Sequence, residues 1–241
     1  MSTVAAARPD RVAFARAALY RLLAAGLAYP TTEVVHLLRR AYPQAALVAA
    51  SMLDADTATA VRQLGPAEAL DLEQAEADHI ALFGHARASR VVPYEGPYLT
   101  TNLFQESDAL ADVAGFYRAF GVEPAARVSE RADHVAVQLE FLYLLAYKEG
   151  HALRRDGPER VELCRDAQRA FLRAHLGRWS GPFFAGLQAA ASGRWHGALA
   201  GVGLAFMRSE SARFGVEPVR RPPHLAPTAP EELVCPIGSP A

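Results

Sequence analysis

Three groups of side chains in this sequence have types and spacings suited to chemistry. Glu76 and His79 stand three apart, which puts both on one helix face, as in carboxylate-bridged dimetal bundles. Such a bundle needs the motif twice. The other pairs have the wrong spacing, Glu130 and His134 four apart and Glu149 and His151 two apart. A solvated face for Glu76, with His79 partly packed, is therefore the simpler reading. A helical metal-dependent enzyme using Glu76 and His79 is kept as the alternative function. The second group is Glu130, Asp133 and His134, which the pattern places in the first turn of a long helix. Helix neighbours point about a quarter-turn apart, so Asp133 and His134 do not form an acid–base dyad with each other. Glu130 and Asp133 complement the positive end of a helix dipole, and spacing alone favours a structural role. His134 shares a face with Gln138 and Phe141, from which its ring can donate to a neighbouring loop. The third group is the loop Val91-Val92-Pro93-Tyr94-Glu95-Gly96-Pro97-Tyr98. Aromatics beside prolines make either a platform for an extended peptide or a stiff crossover with its tyrosines in the core.

Other signatures of catalysis are missing. The sequence has no phosphate-binding glycine loop, dinucleotide fingerprint or nucleophile elbow. Cys164, on a helical stripe with Val161, reads as a small buried hydrophobe, and Cys235 is a lone thiol. These absences favour a binding protein over an enzyme, with no cofactor of its own and no resident metal.

The elements that position these groups are helical throughout, because apolar residues recur at helical spacing and β-branched runs are missing. An all-α, compact bundle of about ten helices is expected over residues 10–214, after a disordered segment 1–9. Asp10 caps the first helix and Pro30 stops it. Thr31 or Thr32 caps a second over 34–42, and an alanine-rich helix covers about 44–53. Pro66 opens a helix reaching Phe83, with Leu82 and Phe83 at its end, and Gly84 closes it. Residues 85–101 read as an ordered loop. Ser107 or Asp108 starts the next helix through Phe120, with Gly121 as its left-handed terminator. A connector at 122–128 is a candidate hinge. Ser129 caps the central helix from Glu130 to about Arg155, in which Val135, Leu139, Leu142 and Ala146 form one apolar stripe. Further helices begin at Pro158, near Pro182, and at Ser192, and a proline-rich tail runs from 215 to 241.

The 241 residues contain 25 Lys and Arg against 26 Asp and Glu, a net charge of −1. Lys148 is the single lysine, so 24 of the 25 cations are arginine. A near-neutral chain with no basic block does not suit a phosphate-backbone partner. The N-terminal run lacks the apolar core of roughly 7–15 residues that a secretory signal needs, and no span approaches the roughly 20 apolar residues of a membrane helix. Two distant cysteines fit a reducing compartment. A soluble, cytoplasmic protein is expected, without nucleic-acid partners or stable membrane insertion.

Read in order, five stretches carry a family resemblance: Leu19-Tyr20-Arg21-Leu22-Leu23 with Tyr29-Pro30; Leu82-Phe83-Gly84; Pro93-Tyr94-Glu95 with Tyr98; Glu130-Arg131-Ala132-Asp133-His134 leading into Gln138-Leu139-Glu140-Phe141-Leu142; and Phe171-Leu172 with His175-Leu176, Trp179 and Phe183. Together they resemble the TorD/DmsD/NarJ superfamily of molybdoenzyme chaperones. Phe104-Gln105, with Gly115-Phe116-Tyr117-Arg118-Ala119-Phe120-Gly121, is most similar to the branch serving type II DMSO-reductase-family enzymes.

That resemblance implies a cytoplasmic, system-specific chaperone. It would bind the apo catalytic subunit and its twin-arginine leader, assist molybdenum cofactor insertion and delay export. By resemblance, Asp133 and His134 match the family's Glu-Pro-x-Asp-His motif before the central helix, and Leu82, Phe83, Pro93, Tyr94 and Tyr98 match positions that shape a leader-binding groove. Arg131 stands where the family often has proline, placing a cation beside a site expected to receive arginines. A twin-arginine leader suits carboxylates next to an aromatic, proline-walled groove. Asp133, Glu130 and Glu95 would supply the former; Tyr94, Tyr98 and Phe83 the latter.

Overall fold

Alanine- and leucine-rich segments at helical spacing fold as helices wherever the chain is described. The computed structural model describes residues 8–41, 44–64, 70–84, 91–100, 103–122 and 130–217. Among these lie eleven helices: α1 (Pro9–Leu27), α2 (Thr32–Ala41), α3 (Gln44–Ser51), α4 (Ala55–Leu64), α5 (Leu72–Phe83), α6 (Gly96–Leu99), α7 (Leu103–Ala119), α8 (Val135–Arg155), α9 (Pro158–Ala174), α10 (Leu176–Ala190) and α11 (Trp195–Phe214). The all-α expectation is met. The β pairing among the described residues is one isolated antiparallel bridge, between Tyr94 and His134.

The core is built on α8. Val135, Leu139, Leu142 and Ala146, the expected stripe, are all fully buried, and Leu145 widens it. α1 lies along α8 on one side, α9 on another, and α10 pairs with α11. Phe141 joins Phe171 of α9 and Tyr117 of α7, ring centroids 4.9 Å apart in both cases. Trp179, Phe183 and Phe184 of α10 are completely enclosed. Each such side chain contributes about 1.5–3 kcal/mol by leaving water.

A polar cluster sits inside this core. Arg16 of α1 is fully buried and donates to both carboxylate oxygens of Glu210 (2.7 and 2.6 Å), to Glu149 (2.8 Å) and to Gln168 (2.6 Å). Tyr20 donates to Glu210 at 2.6 Å, and Arg165 to Glu149 at 2.8 Å. Four helices, α1, α8, α9 and α11, are thereby fixed in register. Burial alone would raise the Glu149 carboxyl, but the Arg16 charge and the bonds from Arg165 and Gln168 hold it below its usual value.

Several boundaries differ from the sequence expectations. Asp10 does not cap α1. Pro9 opens that helix, and Asp10 is buried within its first turn, bonded to Arg154 at 2.7 Å. Thr31 accepts from the Val34 amide ahead of α2. α4 was not anticipated, although its buried residues Thr57, Ala58, Val61 and Leu64 have helical spacing; Asp54 caps it through the Thr57 amide and hydroxyl, both at 2.8 Å. α5 starts at Leu72, capped by Asp71. α6 interrupts the expected loop, and α7 begins four residues before Ser107. α10 begins at Leu176 and continues through Pro182. Interior proline costs roughly 3 kcal/mol, which burial of Leu176, Trp179, Phe183 and Leu187 along one stripe outweighs. α8 starts at Val135, so Glu130 and Asp133 lie in the turn before it. Of the expected disordered segment 1–9, Arg8 and Pro9 are described and Pro9 is helical. Of the expected hinge at 122–128 only Val122 is described, and of the expected tail at 215–241 only 215–217; Ser129, Pro66 and Cys235 lie outside the described residues. No helix of the described residues is long and apolar enough to cross a membrane.

Candidate functional site

Main-chain pairing brings the proline–tyrosine loop onto the turn before α8. The Val135 amide donates to the Pro93 carbonyl at 2.8 Å, and the Glu95 amide to the Asp133 carbonyl at 3.2 Å. The turn is closed by the His134 amide donating to the Arg131 carbonyl, and is tied to α7 by the Tyr117 hydroxyl on the Ala132 carbonyl. Pro93, Tyr94, Glu130, Asp133 and His134 are thus assembled in one place.

Within this assembly His134 is structural in its contacts. Its Nδ1 accepts from the Ala136 amide at 3.2 Å, capping α8. This fixes the neutral ring with its proton on Nε2, and burial lowers its pKa to about 4. The ring meets Tyr94 edge-on, centroids 5.2 Å apart. Asp133 is fully engaged as well. Arg131 forks onto it, Nε to Oδ1 and Nη2 to Oδ2 at 3.0 Å each. Nη2 also donates to Glu106 of α7 at 2.7 Å, and the guanidinium carbon sits 5.1 Å from the Tyr94 ring centre. Burial raises the Asp133 carboxyl more than the Arg131 fork lowers it. Tyr94 donates to Glu130 at 3.2 Å, and burial with the Glu130 charge pushes its phenol up to about 12.

Glu95 is not a surface carboxylate, as the sequence suggested. It is 1% exposed, accepting from Gln138 Nε2 at 2.5 Å and facing His175 Nδ1 at 2.9 Å. His175 Nε2 lies 3.3 Å from Asp112, close enough for attraction but off the hydrogen-bond direction. Tyr98 is buried too, stacked on Trp179 at 5.1 Å, and Leu82 is in the core. Phe83 is half-buried and meets His79 at 4.9 Å. His79, which also touches Tyr29, is held neutral, its pKa lowered to about 4 by burial and then by His196 and His134.

Two of these groups are committed to partners. The lone pair of His134 Nδ1 is occupied and Asp133 is ion-paired, so neither is free as a general base. No group of three or more His, Cys, Asp or Glu that could hold a metal ion exists among the described residues. The alternative centred on Glu76 and His79 therefore lacks a third ligand there. Carboxylates clustered beside an aromatic face suit a planar cation. Glu106 was missed by sequence reasoning, since its partner Arg131 is 25 residues away and no local motif links them.

The sequence model of the family described as nitrate reductase delta subunit matches residues 50–185, more than half of the chain, and its span contains every candidate site residue. This chain belongs to the nitrate reductase delta subunit family. Its curated relatives include the selenate reductase assembly chaperone protein of Thauera selenatis, 35% identical over 123 residues. The chlorate reductase assembly chaperone protein of Ideonella dechloratans is 33% identical over 122 residues. Each match takes in 50% of this chain and 61% of the relative. Both relatives are named as assembly chaperones, not as catalysts. The matched span includes the whole Tyr94–Asp133 assembly.

Proposed function

We propose that this protein is a non-catalytic, system-specific assembly chaperone. It binds the apo catalytic subunit of a molybdenum enzyme of the type II DMSO-reductase family, together with that subunit's twin-arginine leader. It assists cofactor insertion and delays export, acting in the cytoplasm. Residues 10–214 work as one chaperone domain, with a hinge at 122–128 and a tail from 215. Membership of the delta subunit family and the names of the two relatives support the class of activity. The observation that carries the site is the carboxylate notch at Asp133, Glu106 and Glu130 beside the Tyr94 ring, because arginine binds best where two acceptors match its fork and a flat face supports it. Phe83, half-buried at the end of α5, is proposed to supply apolar surface for the leader segment that follows the arginines.

The direct test is binding of the apo subunit, with and without its leader, measured by calorimetry for the native chain and Asp133→Asn. A charge-paired site predicts at least about tenfold weaker binding for the variant, the equivalent of about 1.4 kcal/mol. Equal affinity would remove Asp133 from the site.

A further inference from the structure

In this protein the notch described above is already filled. Arg131 places its guanidinium where a ligand arginine would go: forked on Asp133, bridged to Glu106 and lying against the Tyr94 ring. The receptor half of this arrangement is rigid and sheltered. The Asp133 side chain is 3% exposed, its main-chain carbonyl is tied to Glu95, and its Oδ2 lies 3.5 Å from the Gly96 amide. Gly96 also makes room for the Glu106 side chain, since a Cβ there would lie 2.7 Å from Glu106 Cγ. The occupant half is different. Arg131 is 43% exposed and lies in the turn from Arg131 to His134 ahead of α8, so its side chain can swing into water without moving a helix. Partly exposed ion pairs of this kind are weakly held, whereas a buried carboxylate left empty would be costly.

We propose that Asp133, Glu106 and Tyr94 form a guanidinium receptor whose resident occupant is the chain's own Arg131, and that an arginine side chain of the client takes over the receptor by displacing it. Arg131 is thus a built-in competitor. It keeps Asp133 satisfied when no client is present and sets a threshold that a lone client arginine must exceed. Glu130, which accepts from Tyr94, supplies a further carboxylate on the same rim for a second, adjacent arginine. The exchange deepens the chaperone reading and rests on it for the identity of the displacing group, but the receptor itself is testable without any client.

The test uses Arg131→Ala in the full chain, with methylguanidinium as the probe. Millimolar methylguanidinium raises the melting temperature of Arg131→Ala and leaves the native chain unchanged; methylammonium does neither, and Glu106→Gln in the Arg131→Ala background abolishes the gain. A synthetic peptide with two adjacent arginines binds Arg131→Ala more tightly than the native chain. If Arg131 is seated nine-tenths of the time, removing it tightens binding about tenfold, because apparent affinity scales with the competent fraction. Arg131→Lys, which keeps the charge without the fork, gives an intermediate affinity and guards against a folding defect in the alanine variant. Equal stabilisation by methylguanidinium and methylammonium overturns the receptor, and unchanged or weaker peptide binding in both variants overturns the exchange. Failure of the chaperone role is separately visible, as an unaltered client when this chain is deleted, whatever the probe does.

Discussion

Replacing Arg16 with methionine tests how the helices around the site are held together. Arg16 makes four hydrogen bonds, two to Glu210 and one each to Glu149 and Gln168. Its loss leaves the two carboxylates unequal. Glu149 keeps Arg165 and Gln168, whereas Glu210 keeps the Tyr20 hydroxyl. Removing one member of a buried ion cluster costs about 3–5 kcal/mol, chiefly through the charge left behind. At roughly 2–4 °C per kcal/mol for a chain of this size, the midpoint should fall by about 6–20 °C. Urea unfolding followed by circular dichroism gives the free energy, and Arg16→Met with Glu210→Gln should recover part of the loss by removing the stranded charge. The pH dependence has a fixed sign. The Glu149 carboxyl is held below its unfolded value of 4.5, so its contribution is present above that value and is lost as pH falls through the lower folded value. Arg16→Met removes part of that depression, so the gap between native and variant should narrow on acidification. A loss below about 1 kcal/mol, well under the range for a broken buried pair, would refute this reasoning, as would a double variant less stable than the single.

Three further outcomes are expected. His134 stays neutral in the folded chain down to about 4 against 6.5 unfolded; between those values only the unfolded state takes up the proton, so stability falls with pH by up to about 3 kcal/mol. His134→Asn, which can still cap α8, should make the melting temperature less steep over that window, leaving the slope due to His79; an unchanged slope would clear His134. Cys164 is 7% exposed and burial raises its thiol pKa, so in a Cys235→Ser background its alkylation should track unfolding in urea, not proceed in native buffer. Gly96→Ala should push the flexible Glu106 side chain off Arg131 at a cost of up to about 1 kcal/mol, the worth of a partly exposed ion pair, measured by thermal unfolding; a loss of several kcal/mol would show that the Glu106 side chain cannot move aside.

The helical class and the central helix were legible because periodic burial is written locally: Val135, Leu139, Leu142 and Ala146 repeat at helical spacing whatever packs on them. The start of α8 was not. Ser129-Glu130 has the composition of a cap, while the group that caps the helix is a histidine nitrogen, an acceptor that burial keeps neutral well below neutral pH. Glu95 looked like a surface carboxylate among tyrosines and prolines. Its burial depends on Gln138, 43 residues on, and His175, 80 residues on, which no local pattern reports. Arg131 was visible as a cation in an acidic neighbourhood, but the sequence did not disclose Glu106 as its second partner.

The chaperone reading is tested most directly by the molybdenum content of the client. The catalytic subunit would be purified from cells carrying the native chain, no chain, or Asp133→Asn, and its metal measured per polypeptide. A sharp fall without the chain, and an intermediate value with Asp133→Asn, is the predicted result. Full loading in all three would contradict the maturation role and the site together.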